Sequence, residues 1–473
     1  MIRPLAPEAV QVVWFKRDLR VADHAPLLAA AARGPVVCLY VVEPEALARD
    51  DFDPVHLGFV LESLEALDRA LAPLGVRLSV RVGRLPEVFE GLWRERPFAA
   101  LHSHQETGVR WTFARDRRVA RWAEARGVAW HETPQDGVAR GGRRGVHGAA
   151  GLACPPLPAP TRLRPALGYA TGRVPSLRDL DLPPERVRDR QRGGATLAEG
   201  LLAAFLARRA DGYRGGVSSP VDASVAGSRL SPHLAYGTIS VRTVLHAVEA
   251  ARRRAAEAAD GDARPAGHPS ADDALRAFAG RLRWRRDRIA ELEAAPRLEF
   301  EAVAPDAGAG AARPFDDERF AAWAEGRTGF PLVDACQRVL RDTAWVNFRM
   351  RAMLASFATT RLGLPWRAVG LHLARSFLDY EPGIHWPLVQ RSAGAAGPAA
   401  RAVFDPVRQA RAHDADGRFV RSQLPVLAAV PDAYVATPWR MPRAVQRAVG
   451  CVLGRDYPHP VVPPAPRAAP APA

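Results

Sequence analysis

The sequence predicts an α/β domain on a doubly wound parallel sheet, followed by an all-α domain. Three observations carry this reading. Through the first third of the chain, short β-rich runs alternate with amphipathic helical stretches, the order of a parallel, Rossmann-like sheet with crossover helices. From about Gly141 to Gly194 that periodicity stops, and Gly, Pro and Arg dominate. From Thr196 to about Ala448 the patterns are helical, punctuated by Pro and Gly. A chain of 473 residues also exceeds one ordinary core, since domains run to roughly 100–200 residues.

In order, the strands are expected at Val10 to Phe15, Val36 to Val42, Leu78 to Val82, Ala99 to His102 and Val128 to His131. Between them Pro26 to Arg33, His56 to Leu74, Leu85 to Arg94 and Thr112 to Arg126 carry apolar residues at three- and four-residue spacing, as crossover helices should. The second domain is expected to hold helices at Leu197 to Ala210, Val241 to Ala259, Ala274 to Ala294, Leu332 to Leu340, Trp345 to Arg361 and Trp366 to Phe377. The division is therefore 1–135 for the α/β domain, 136–195 for an interdomain connector and 196–450 for the helical domain. Residues 451–473 are a Pro/Ala-rich tail, expected to be disordered because Pro458 to Ala473 is too poor in large apolar groups to offset ordering entropy. No fixed-period repeat is visible, so a solenoid or propeller is not expected.

Composition narrows the function classes. A formal charge of +15 with pI about 10.7 favours polyanionic partners, because neutralised phosphates release counterions; a solubilising surface charge is the plainer alternative. Lys16 is the only lysine among 66 basic residues. Cys38, Cys154, Cys336 and Cys451 are too scattered for a zinc site or a disulfide framework. No uncharged run reaches the ~18–20 residues that span a bilayer, and no signal segment opens the chain. The expectation is a cytoplasmic monomer without a membrane partner or a metal.

Four segments carry chemistry. VVWFKRDLRVADHAPLLAA places Lys16, Arg17, Asp18, Arg20 and Asp23 just after the first strand, where a doubly wound sheet receives its ligand; read alone, it is a polar strand-to-helix turn. In Tyr213 to Arg242, Gly227, Ser228 and Ser231 precede a helix, and exposed N–H groups there, with Ser as the cap, suit phosphate or a simple N-cap. FAGRLRWRRDRIAELE sets Trp284 among arginines, Arg281 and Arg285 included, either an amphipathic helix with cation–π contacts or a face for an unstacked base and its phosphates. The fourth segment runs from Thr328 to Trp386.

Together these segments resemble the photolyase and cryptochrome family, from Val12 to about Leu427. The opening resembles the family's WFRxDLRxxDNxxL, with His24 in place of Asn. SRLSPHLAYGTIS resembles the SxLSPxLxxGxxS segment that folds against the FAD pyrophosphate, which implies Tyr213, Ser228, Leu230 and Ser231 as FAD-binding residues. Trp284 and Arg285 match a WR pair bordering flavin and substrate. Trp345, Arg349, Arg351, Asp379 and Glu381 match residues surrounding FAD, and the resemblance implies an ion pair between Arg351 and Asp379. It also implies an antenna of folate or deazaflavin type near the HSHQETG segment, His102 to Gly108.

Departures from the pattern bear on activity. His385 stands where the family has an Asn at the flavin's reactive edge; it either hydrogen-bonds or exchanges a proton with the ring, or it is a packed imidazole. Of the usual three-tryptophan relay only Trp366 remains, with Val389 and Arg313 at the other two positions. Photoreduction then needs another route, through Trp386, Trp345 or a tyrosine. Arg281 replaces a lesion-contacting Glu, exchanging an acceptor for a donor, and Phe348, Ala352 and Arg391 fill other pocket positions. The resemblance implies a light-driven DNA photolyase, with Arg281, Trp284, Arg285, Arg349 and Arg391 toward damaged DNA. Its rival is a cryptochrome-type photoreceptor acting on a signalling partner. A flavoprotein using only the N-terminal fold is the third reading, and the helical segments argue against it.

Overall fold

A computed structural model describes residues 9–135, 137, 138, 140, 152–259, 271–303, 315–394 and 404–464. The chain forms two compact units, each assembled from several segments. The first comprises Met1–Gly216, Val225–Phe300 and Ala374–Pro387, the second Val217–Ser224, Glu301–Leu373 and Leu388–Ala473.

The first unit holds a five-stranded parallel sheet of β1 (Gln11–Phe15), β2 (Val36–Val42), β3 (Leu78–Val82), β4 (Ala100–His104) and β5 (Ala129–Thr133), in the order β3-β2-β1-β4-β5. Every residue of β1 is buried, which is why the central strand is apolar from Val12 to Phe15. Val12 and Trp14 enter a core with Leu39, Val41, Phe89, Leu92, Leu101 and Val119, and Trp14 meets Phe89 edge-on at 5.2 Å. β4 and β5 each run two residues beyond the expected ends, because Ser103 pairs with Glu132 and His104 with Thr133. Hydrophobic patterning does not mark so polar an extension. The crossover helices span Ala25–Ala31, Pro54–Leu71, Glu87–Glu95 and Arg110–Arg126. Asp53 caps the second by accepting the Val55 N–H, with Pro54 at its first position, and Gly127 ends the fourth at φ 67°.

The described part of the connector is irregular, as its composition suggests, but it is tied down. Val36 N–H donates to the Arg164 carbonyl at 2.7 Å and Ala166 N–H to that of Val36 at 3.2 Å, so the connector bridges to the start of β2. Among the unit's helices, Val241–Ala259 packs on Ala271–Ala294. The helix expected at Leu197 to Ala210 is instead α-helical over Ala195–Ala204, then widens to a π-turn at Phe205–Arg209. That turn seats the fully buried Phe205 ring against Phe278 and Tyr213, with centroids at 4.7 and 5.9 Å.

In the second unit the helix Pro331–Thr343 ends at Ala344, which takes a left-handed φ of 53°. Thr343 Oγ accepts the Trp345 N–H at 3.2 Å and donates to the Trp345 carbonyl at 3.0 Å. This local ring delays the next helix, expected from Trp345, to Phe348–Ser356, with a π-turn at Phe357–Arg361. The tail departs from the expected disorder as far as Pro464. Tyr457 donates to Asp334 at 2.5 Å, Val461 N–H donates to the Thr328 carbonyl at 3.0 Å, and Val462 is buried. Two such anchors and a buried side chain supply what the Pro/Ala composition lacks. Residues 465–473 and Arg313 lie outside the described residues.

Candidate functional site

The loop leaving β1 is where all four segments meet. Lys16 to Arg20 exits the carboxyl end of the sheet, and its arginines grip backbone from distant parts of the chain. Arg17 Nε donates to the Ala235 carbonyl at 2.7 Å and Arg17 Nη2 to that of Tyr380 at 2.8 Å. Arg20 donates to the Gly237 carbonyl at 2.9 Å, and Leu19 N–H to that of Tyr236 at 3.3 Å. Gly237 makes this approach possible. It sits at φ 65°, and a Cβ there would stand 2.1 Å from the Arg17 carbonyl oxygen. The third segment enters through Arg285, buried on the Ala271–Ala294 helix, which donates to the Leu234 carbonyl at 3.0 Å and to Glu381 at 2.9 Å. Arg17 lies 3.9 Å from the same Glu381 oxygen.

Asp18 organises the interior of the loop. One oxygen accepts the Lys16 N–H at 2.6 Å; the other lies 3.0 Å from His24 Nε2 and 2.7 Å from His104 Nδ1. His24 Nδ1 accepts the Leu27 N–H at 3.1 Å, so its proton sits on Nε2 and donates to Asp18. Burial alone would raise the Asp18 carboxyl, but His24 and His104 together hold it well below the carboxylate range. These three side chains meet in direct hydrogen bonds and are all buried. The first segment leaves the sheet where a ligand mouth is expected. Its Asp18, Arg20 and Asp23 are instead buried and engaged within the protein, with Asp23 held by Ser240 at 2.5 Å and by Leu157 N–H at 3.0 Å.

Beyond β1 and β4, the switch point where such sheets take ligands, the space is filled by interlocked charges. Arg115, 4 % exposed, donates to Glu43 at 3.0 Å, Glu106 at 2.6 Å and Asp116 at 2.8 Å, with its guanidinium 4.9 Å from the Trp14 ring centre. Arg140 reaches Asp116 at 2.7 Å, and Lys16 Nζ lies 3.7 Å from both Asp116 and Glu132. Burial pushes Glu43 up to about 7 against the pull of Arg115. The remaining cleft, lined by Lys16, Arg17, His104, Glu106, Gln135 and Glu381, measures about 20 Å³, room for water rather than a ring system. An antenna of folate or deazaflavin type does not fit in that cleft.

The other expected residues fall as follows. Ser228 Oγ accepts the Leu230 N–H at 3.4 Å, and the cap of the short Ser231–Ala235 helix is Leu230 rather than a serine. Its first turn is ordered by packing, with Leu230 fully buried. Tyr213 is buried edge-on to Phe278 at 5.4 Å. The Trp284 ring carries the Arg281 guanidinium 4.1 Å from its centre and Arg288 at 6.0 Å. His385 is packed between Tyr380 and Trp386, centroids at 5.2 and 5.1 Å. Asp379 and Glu381 belong to the first unit; Trp345, Arg349, Arg351, Trp366 and Arg391 belong to the second. There Arg351 Nε donates to the Val346 carbonyl at 2.8 Å, and Trp366 is buried at the start of the Trp366–Ser376 helix. Some buried polar atoms have no protein partner: Glu381 Oε1 and His233 Nε2 in the first unit, Asn347 Oδ1 and Arg349 Nε in the second. Patterning along the chain does not signal Arg17, His104, Arg115 or Tyr380 as partners, because each acts through residues remote in sequence.

Comparison with known proteins agrees with this arrangement. Residues 11–140 match the family described as DNA photolyase, and residues 278–470 match the FAD binding domain of DNA photolyase. The chain is 32% identical to a cryptochrome DASH of Gloeobacter violaceus over 95% of its length and 92% of that protein. It is 30% identical to a deoxyribodipyrimidine photo-lyase of Streptomyces griseus, covering 96% of each. A class III photolyase structure from Agrobacterium tumefaciens superposes with a TM-score of 0.84 at 26% identity, over 98% of this chain and 96% of that one. With the β1 exit loop, the Ser231–Ala235 turn, Arg285 and Glu381 joined in one first unit, and with matches along almost its whole length, the chain belongs to the DNA photolyase and cryptochrome family.

Proposed function

We propose that the protein is a light-driven DNA photolyase that holds FAD and splits pyrimidine dimers. The supporting observation for the cofactor is the presence, within the first unit, of two buried polar atoms without protein partners, Glu381 Oε1 and His233 Nε2. Each such atom costs roughly 1–3 kcal/mol, and FAD carries both donors and acceptors on its ring, ribityl chain and pyrophosphate, so the residues present fit it. Tyr213, Ser228, Leu230, Ser231, Arg285, Trp345, Arg349, Arg351, Asp379, Glu381 and His385 would hold it. When bound, the reduced cofactor supplies an electron to the lesion on excitation and recovers it after the ring splits. The protein's part is to orient and to exclude water: Arg285 fixes Glu381, and Arg17 ties the neighbouring Tyr380 backbone to the loop after β1.

Toward DNA, the half-buried Trp284 offers an aromatic face with guanidinium groups of Arg281 and Arg288 against it, suited to an unstacked base and nearby phosphates. A cryptochrome-type photoreceptor is the second reading. It is favoured by Arg281, which puts a donor-only group over Trp284 where an acceptor would serve a dimer. One experiment separates them. FAD-loaded, fully reduced protein is tested for binding of dimer-containing against undamaged oligonucleotide at two salt concentrations, then illuminated and assayed for restored pyrimidines. Photolyase activity predicts lesion preference, repair, and loss of about 1–3 kcal/mol of lesion binding in Trp284→Ala. Equal affinity and no repair would leave the photoreceptor reading.

A further inference from the structure

The helical part of the first unit holds an open apolar groove of about 630 Å³. One wall is the Ala195–Ala204 helix with the π-turn that continues it over Phe205–Arg209. The other is the helix Val241–Ala259, and Ala271 and Leu275 of the Ala271–Ala294 helix complete the lining. Both walls present residues four apart, which on a helix surface form one ridge. Glu199, Ala203, Ala207 and Asp211 make the first ridge; Thr243, Ala247, Ala251 and Ala255 make the second. From Thr243 to Ala255 the groove runs about 18 Å, at 1.5 Å per residue. Alanine keeps both ridges low, so another backbone can approach closely. The π-turn, a widened turn of the kind that recurs at functional sites, carries Leu206 and Ala207 to the groove.

Dimensions and charge select the occupant. A helix about 10 Å across, sunk to half its depth over about 18 Å, displaces about 700 Å³, close to the volume of the groove. A small-molecule site needs convergent polar groups to orient its ligand, whereas Thr243 Oγ1 here already accepts from the Ser240 hydroxyl at 2.9 Å. An extended peptide would find no sheet edge to join, because both walls are helices. The rims carry opposite charges: Glu199 and Asp211 on the first wall and Arg254 on the second, all exposed and without an ion pair among the described residues. We propose that this groove docks one amphipathic helix of a partner protein, about three turns long, whose apolar stripe lies between a basic flank facing Glu199 and Asp211 and an acidic flank facing Arg254. The assignment is independent of the flavin and of the photolyase reading. The apolar stripe supplies the affinity, since exposed rim pairs add little each. The rim charges fix the direction of the helix, because turning it end for end brings like charges together. An interface of this size belongs to the small, transient class.

The test pans a displayed library of helical peptides, each about 14 residues long, against the purified full chain, and measures synthetic copies of the binders by fluorescence anisotropy. Binders should carry apolar residues at i, i+3, i+4 and i+7, show micromolar Kd, gain helicity on binding, and protect backbone amides of residues 199–211 and 243–255 from hydrogen exchange. Ala207→Trp puts an indole into the groove from an exposed position and should weaken binding by about tenfold or more, with the unfolding midpoint unchanged. Arg254→Glu should weaken it by about threefold. A binder whose acidic flank is changed to lysine should then prefer Arg254→Glu over wild type, an arm that stands even if Ala207→Trp folds poorly. A library that yields no binder sensitive to either substitution overturns the proposal, as does exchange protection confined to other residues. Two further results also overturn it: a dimer that Ala207→Trp dissociates, which makes the occupant a second copy, and a co-purifying acyl lipid that Ala207→Trp releases.

Discussion

Replacing Asp18 by Asn changes one atom in a site with no slack, and the cost follows from proton positions. The new amide keeps an oxygen for the Lys16 N–H, which leaves its NH2 facing His24 Nε2 and His104 Nδ1, at 3.0 and 2.7 Å in the native site. His104 can adapt by moving its proton to Nε2 and accepting through Nδ1. His24 cannot, because its Nδ1 already accepts the Leu27 N–H at 3.1 Å. One donor-against-donor contact therefore remains, between side chains that are both 0 % exposed. An unsatisfied buried donor costs about 1–3 kcal/mol, and losing charge assistance in the neighbouring bonds brings Asp18→Asn to about 2–4 kcal/mol. Urea unfolding followed by circular dichroism should show the midpoint falling accordingly, with the denaturant slope unchanged. A loss below about 0.5 kcal/mol, the range of ordinary surface substitutions, would refute the assigned tautomer and the role of the carboxylate.

Two further outcomes follow from the same region. Gly237→Ala places a methyl 2.1 Å from the Arg17 carbonyl oxygen on a residue held at φ 65°, so left-handed strain and overlap together should cost about 3 kcal/mol or more; an unchanged melting temperature would mean that the β1 exit loop yields easily. Burial holds His104 and His233 down, to about 3 and about 4, whereas an unfolded imidazole titrates near 6.5. Between those values the unfolded chain binds more protons, so stability is full above pH about 6.5 and falls on acidification, by up to about 1.4 kcal/mol per pH unit for each imidazole. Unfolding midpoints equal at pH 7.5 and pH 5 would contradict this.

Much of the arrangement is legible along the chain, for definite reasons. The central strands announce themselves because a parallel strand buried on both faces must be apolar throughout, as Gln11–Phe15 nearly is. Helices such as Val241–Ala259 coincide with their patterns, because a stripe at 3.6-residue spacing is a local property. Boundaries set by side chains are less legible: the ring closed by Thr343 around Trp345 and the tail held through Tyr457 and Val461 each depend on a pair of hydrogen bonds. The Pro/Ala composition of the tail says nothing of the Asp334 acceptor that waits 123 residues away.

The order of elements, the sheet class, the family resemblance and the residue types of the site are all local properties of the chain, carried by periodicity and contiguous motifs. How those residues are used depends on the folded arrangement. It turned Asp18, Arg20 and Asp23 from a ligand mouth into interior clamps and filled the switch-point cleft around Arg115. It also brought Asp51 to the hydroxyl of Tyr380, 329 positions along the chain. The physical reason is that a buried charge is settled by whichever partner the fold delivers. A one-dimensional pattern records that a charge is present, but not which distant group will meet it.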